Sequence, residues 1–234
     1  MKKIFFPLLI ALAAFSCSKE KRECPGSIEK SFDFTDFQRI KLGDANTVKI
    51  TKGDTYSIKA KGCSNDIADL AIDVEGGQTL NIRFRNHRQN RYRIDFEITM
   101  PALLSVNLSG ASKGDISGFQ GQQTVIRTIL SGASECKLDG AGSNVSVDIS
   151  GASVLNVTGS TESLYGVISG ASKLESYGLA STEVDLSVSG SSKAWVKPVD
   201  AIYIEASGAS RVYYKGNPAV KEFNTSGDGR VIQE

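Results

Sequence analysis

A four-residue phrase, Ser-Gly-Ala-Ser, constrains this chain more than any other feature. It begins at Ser109, Ser131, Ser150 and Ser169, becomes Ser-Gly-Ser-Ser at Ser189, and returns at Ser207. A variant, Ser226-Gly227-Asp228-Gly229, closes the series, and the intervals run from 18 to 22 residues. A period of this length is the mark of a stacked-repeat architecture, in which each unit buries its apolar face only against its neighbours. Residues one, three and five positions before each leading Ser are mostly apolar: Leu130, Thr128, Ile126; Ile149, Val147, Val145; Val188, Leu186, Val184. The residues between them are usually polar, and alternation with period two is a half-buried strand rather than a helix. A second short alternation follows the phrase, as in Cys136 and Leu138 or Leu155 and Val157, and ends near Gly140, Gly159, Gly178 or Gly216.

Each unit therefore reads as strand, corner, strand, turn. Pairing each strand in parallel with its counterpart in the next unit makes an all-β solenoid, a parallel β-helix with coils of 18–22 residues. The corner glycines Gly110, Gly132, Gly151, Gly170, Gly190 and Gly208 supply backbone angles closed to other residues. The phrase is thus structural, and its serines are not read as nucleophiles.

Residues 1–16 carry Lys2 and Lys3 before an apolar run from Ile4 to Phe15, the layout of a secretory signal. Cys17 stands at its edge after small residues, like the first mature residue of a bacterial lipoprotein. Lipidation at Cys17 is expected, giving a membrane anchor made of several acyl chains. Residues 17–27 then form a polar tether. Cys24 and Cys63 can pair in an oxidising compartment, whereas Cys136 sits at an inward strand position as a small hydrophobe.

Residues 28–104 alternate without the phrase and are read as irregular β coils or a β-rich cap ahead of the regular repeat of 105–234. A helical turn is expected near Asn65–Leu70. The densest charge lies within this part: Arg83, Arg85, His87, Arg88, Arg91 and Arg93, read as a hairpin turning around Asn86–Asn90. It offers donors for an anionic sugar or phosphate, and its bland alternative is a solvated turn with paired arginines. Trp195, Tyr203, Tyr213 and Tyr214 gather in the last coils and read as strand formers, with Tyr203 outward and Tyr214 inward.

Removing Lys2 and Lys3 with the signal takes the formal charge from +1 to −1, so no field of one sign points to nucleic acid. His87 is the single His, and no phosphate loop or His-Glu-x-x-His occurs. Asp148, Asp185 and Glu205 project from different coils, accompanied by Ser146 and Ser187 rather than by basic residues suited to proton abstraction, and read as scattered surface carboxylates. The chain is accordingly read as non-catalytic, without metal or cofactor.

The edge Cys17, the opening Phe34-Thr35-Asp36-Phe37, the passage Ile98-Thr99-Met100-Pro101 and the recurrent Ser-Gly-Ala-Ser resemble the putative auto-transporter adhesin, head GIN domain family. The resemblance covers roughly Phe34 to Gly216. It implies a right-handed parallel β-helix in the envelope of a Gram-negative bacterium, as an outer-membrane lipoprotein facing the periplasm or the cell surface. The implied role is adhesion or binding, with glycan or another envelope protein as partner. A self-assembling structural protein and, last, a carbohydrate-active enzyme are the alternatives.

Overall fold

The computed structural model describes residues 24–88 and 90–234. The first strands are β1 (Ser27–Phe32), β2 (Arg39–Leu42), β3 (Thr47–Lys52) and β4 (Ser57–Cys63). A one-turn helix, α1 (Ser64–Ala68), leads to β5 (Leu70–Glu75), β6 (Thr79–Phe84) and β7 (Asp95–Met100). The regular part holds β8 (Ser105–Leu108), β9 (Lys113–Ser117), β10 (Val125–Leu130), β11 (Glu135–Asp139), β12 (Asn144–Ile149) and β13 (Val154–Ile168). It continues through β14 (Lys173–Val188), β15 (Lys193–Ala206), β16 (Arg211–Tyr214), β17 (Val220–Thr225) and β18 (Arg230–Gln233). The chain winds as a β-solenoid of about seven turns, each about 19 residues long.

Two parallel faces meet at the phrase. Strands ahead of it pair in order, Leu108 with Leu130, Leu130 with Ile149, Ile149 with Ile168, Ile168 with Val188, and Val188 with Ala206. These side chains lie in one buried stack, as the offset from the phrase requires, and Leu42 and Ile82 extend it two coils further. Strands after the phrase form the second face, with Cys136, Leu155, Leu174, Ala194 and Val212 stacked inside it. Fully burying each such aliphatic side chain is worth about 1.5–3 kcal/mol, and repetition along the axis makes a continuous core.

The corner shows why the phrase has its composition. Its second residue takes positive φ at Gly110, Gly132, Gly151, Gly170, Gly190, Gly208 and Gly227, in register from coil to coil. From Gly132 to Gly208 the corner carbonyl receives the next coil's amide: Ala171 N–H donates to Gly151 O and Ser191 N–H to Gly170 O, both at 2.7 Å. A Cβ on Gly170 would stand 2.5 Å from Gly151 O, so the small residue is what lets the coils approach. The fourth residue is buried at Ser112, Ser134, Ser153, Ser172, Ser192 and Ser210. The Ser112 and Ser134 hydroxyls donate to the carbonyls of Ser109 and Ser131 at 2.8 Å, within their own turns, whereas that of Ser172 donates to the Gly151 carbonyl of the preceding coil at 3.3 Å.

The N-terminal part departs from simple sequence order. β2 pairs in parallel with both β6 and β8, and β3 with both β7 and β9. The coil β2–β3 is therefore built first yet lies second, between the regular repeats and an outer coil β6–β7. Three antiparallel strands finish that end: β5 on β6, β4 on β7, and β1 on β4. Antiparallel strands with exposed outer sides cover the open edge that a parallel stack would leave. A disulfide, Cys24–Cys63, ties the start of β1 to β4, and α1 supplies the expected helical turn.

Candidate functional site

The arginine segment is not a hairpin. β6 and β7 lie on different faces and do not pair with each other, so residues 85–88 and 90–94 belong to the corner of the outer coil, where the regular coils carry Ser-Gly-Ala-Ser. The correction has a physical reason. Ile82 and Phe96 both point inward and fit a hairpin pattern equally well, but parallel pairing with β2 and β3 satisfies both strands at once.

That corner divides the arginines. Arg91 is nearly buried, forms ion pairs with Asp66 and Asp69, donates to the Asn86 carbonyl, and lies 3.8 Å over the Phe84 ring. Burial pulls the Asp69 carboxyl up, but hydrogen bonds from Arg91 and Asn86, with the charge of Arg91, outweigh it and hold the group below the usual range. Arg83 makes a two-pronged contact with Asp73 at 2.6 and 2.8 Å, which lowers the Asp73 carboxyl and raises the guanidinium in turn. Arg93 donates to the Ala45 carbonyl at 3.1 Å and Arg85 to the Ala68 carbonyl at 3.3 Å. His87 and Arg88 are exposed. With Arg83, Arg85, Asn86 and Arg91 they line a hollow of about 580 Å³. Arg85 and Arg88 are its outward cations, whereas Arg83 and Arg91 already serve carboxylates of the cap.

Cys17 lies outside the described residues, as does the signal segment. Cys136 is buried and its thiol is pushed up to about 12 by burial first and by Asp115 second, which makes it an inert core residue. Among the described residues no group of three His, Cys, Asp or Glu could hold a metal ion. Asp148 pairs with Arg127 at 3.6 Å, while Asp185 and Glu205 stand opposite Tyr203 and Ser187, in separate columns of the first face.

The second face carries a pattern that only the register reveals. The residue directly after each phrase forms one outward column: Lys113, Glu135, Val154, Lys173, Lys193, Arg211, Arg230. Its first members neutralise one another, Lys113 bonding Glu135 at 2.7 Å. Its last four are all cationic. The next column alternates in sign through Glu97, Lys49, Asp115 and Lys137, then becomes Asn156, Glu175, Trp195 and Tyr213. Trp195 and Tyr213 stack at 5.5 Å with planes 12° apart. Tyr177 borders them, its ring under the Lys215 ammonium and its hydroxyl donating to Glu234 at 2.7 Å. Tyr214 is inward and buried, as the alternation requires. Charge clustering along the chain does not reveal the cationic column, because its members are about 20 residues apart; its signal is the first position after each phrase.

None of the curated proteins matches the sequence. Among solved structures, one described as a putative adhesin from Bacteroides fragilis superposes with a TM-score of 0.79 at 16% identity, over 90% of this chain and 98% of the other. A putative adhesin from Parabacteroides distasonis gives 0.69 at 18% identity, covering 89% and 97%. A putative lipid binding protein from the same organism gives 0.64 at 17%, covering 90% and 97%. These likenesses concern the fold. The description putative auto-transporter adhesin, head GIN domain, matches residues 36–218, and the chain belongs to that family.

Proposed function

We propose that this protein is a lipid-anchored module of the bacterial cell envelope that adheres to an extended partner, glycan or envelope protein, and performs no catalysis. The observation that carries this reading is the long, regular outer surface. Its hydrogen-bonding and charged side chains repeat along flat sheet faces, and such faces suit polymers and protein surfaces better than small molecules, which need a concave pocket. Family membership and neighbours described as adhesins support it. The neighbour described as a lipid binding protein shares the fold and is consistent with work at a membrane. Anchoring through Cys17 would hold the solenoid by its capped end, since the tether leads into β1.

Self-assembly along a coil face fits less well. Exposed large apolar side chains are few and spread along the chain, with Ile28 on β1, Tyr165 and Val167 on β13, Val199 on β15, and Val220 and Phe223 on β17. An enzyme fits least, because Asp148, Asp185 and Glu205 converge on no common point. Two measurements test the proposal. Cells fed a clickable fatty acid should label the wild type and not Cys17→Ala. The full chain in detergent should retain a glycan or an envelope protein from a binding screen; no retention of either class refutes adhesion.

A further inference from the structure

The four cations in register on the last coils are unlike anything the fold needs. Lys173, Lys193, Arg211 and Arg230 succeed one another at neighbouring strand positions, about 4.8 Å apart. Like charges directly opposite across strands destabilise a sheet, and elsewhere this face avoids them by alternating sign. Among the described residues none of the four makes a salt bridge. Arg211 is steadied by the carbonyls of Ala209, Ser210 and Asp228 at 2.7–3.2 Å, which leaves its charge uncompensated. The strip spans about 14 Å, three strand steps.

Beside the strip, two residues further along each strand, stand Trp195 and Tyr213. Tyr213 covers one side of Trp195. The other side opens on a groove of about 310 Å³ lined by Asn156, Thr158, Glu175, Tyr177 and Trp195, all from that coil or the two before it. An aromatic wall with amide, hydroxyl and carboxylate groups opposite it is what a sugar ring takes, its apolar face on the ring and its hydroxyls on the polar atoms. Lys215 adds positive charge beside the groove, over the Tyr177 ring. Glu175 is the one carboxylate in the groove, and Asn156 donates to it at 3.4 Å.

We propose that this strip and groove bind a linear acidic polysaccharide, one sugar lying against Trp195 and successive carboxylates or sulfates meeting Lys173, Lys193, Arg211 and Arg230. The inference rests on the adhesion reading and names its ligand class and its place. A step between cations close to the advance of one sugar unit favours a polymer with regularly spaced charge. A flat anionic bilayer would use the cations but not the groove, and so is the weaker fit.

The test uses the full chain in nanodiscs of neutral phosphatidylcholine, titrated with polygalacturonate and with its fully methyl-esterified form, which keeps the backbone and loses the charge. Wild type should bind the acidic polymer at low salt and lose it as salt rises. Lys173→Ser/Lys193→Ser should weaken binding roughly tenfold and flatten the salt dependence. Trp195→Leu, which keeps apolar bulk, should weaken binding several-fold while leaving the salt dependence unchanged. Arg85→Ser/Arg88→Ser, at the cap, should bind like wild type, and thermal melting checks that every variant is folded. Equal binding of the esterified polymer, or unchanged binding by the double lysine variant, overturns the proposal. So does capture by phosphatidylglycerol vesicles without binding to polygalacturonate. If the chain ignores polygalacturonate but retains a neutral glycan or an envelope protein, the strip is wrongly assigned and adhesion stands; retention of neither sinks both.

Discussion

Gly170 and Arg91 show how much single positions carry. Gly170 has φ of 78°, and an added Cβ would press on the Gly151 carbonyl, which also accepts the Ala171 amide. Gly170→Ala should therefore cost about 1–3 kcal/mol from backbone strain, with further loss from the contact, read as a lowered denaturant midpoint. A neutral change would mean that the corner relaxes freely. Arg91 is the counter-charge of two buried carboxylates, so Arg91→Met should destabilise by about 3–5 kcal/mol by leaving Asp66 and Asp69 unpaired. The same site sets an acid response. Asp69 titrates below its ordinary value of 3.8 in the folded chain, so it stabilises the fold above that value, and the contribution disappears as pH falls from there through the folded value. Hydrogen exchange should find residues 64–70 and 84–94 loosening under acid before the regular coils do, and Arg91→Met should abolish that difference.

At the scale of elements, the cap differs in kind from what it covers. β1 is exposed along nearly its whole length and is held by pairing with β4 and by the Cys24–Cys63 bond. The bond closes a separation of 39 residues, for which chain entropy allows up to about 4 kcal/mol. Reduction, or Cys24→Ser/Cys63→Ser, should leave the repeats folded while residues 27–32 become protease-sensitive. A uniform loss of protection throughout the chain would show instead that cap and repeats melt together. The corner of the coil β2–β3 makes a complementary point. There Asn46 takes the place of the buried Ser, donating to the Gly43 carbonyl and accepting the Ile94 amide, both at 3.0 Å. One side chain thus closes its own turn and binds the corner of the outer coil, where the serines of the regular corners make longer contacts between coils, such as Ser153 Oγ accepting the Ser134 amide at 3.3 Å.

For the whole molecule, stacking makes stability a sum over neighbours. Each inner coil rests on two others, and a charge placed in the shared core harms both interfaces. Ile149→Asp puts an unpaired carboxylate in the buried column between Leu130 and Ile168. It should cost several kcal/mol, enough to unfold a marginal domain, and circular dichroism should show lost strand signal. The last coil is weaker by composition. Its inward positions opposite Ile202 and Ala206 are Lys221 and Thr225, and Phe223 is 41% exposed. An inward charge at an edge discourages further pairing, at the cost of local packing.

Much of this molecule is local, and the sequence by itself determined that much: strand period, corner composition, the inward column from Leu130 to Ala206, and the family. These follow from side-chain alternation and from glycine's freedom at the bend, which act within a few residues. Non-local pairing settled the remainder. Ile82 and Phe96 look like the arms of a hairpin until β2 and β3 are available as parallel partners. Six basic residues within 83–93 look equivalent until Asp66, Asp69 and Asp73 engage two of them. Lys173, Lys193, Arg211 and Arg230 look unrelated until winding brings them side by side, because only the register between coils converts a spacing of about 20 residues into a strand-to-strand contact.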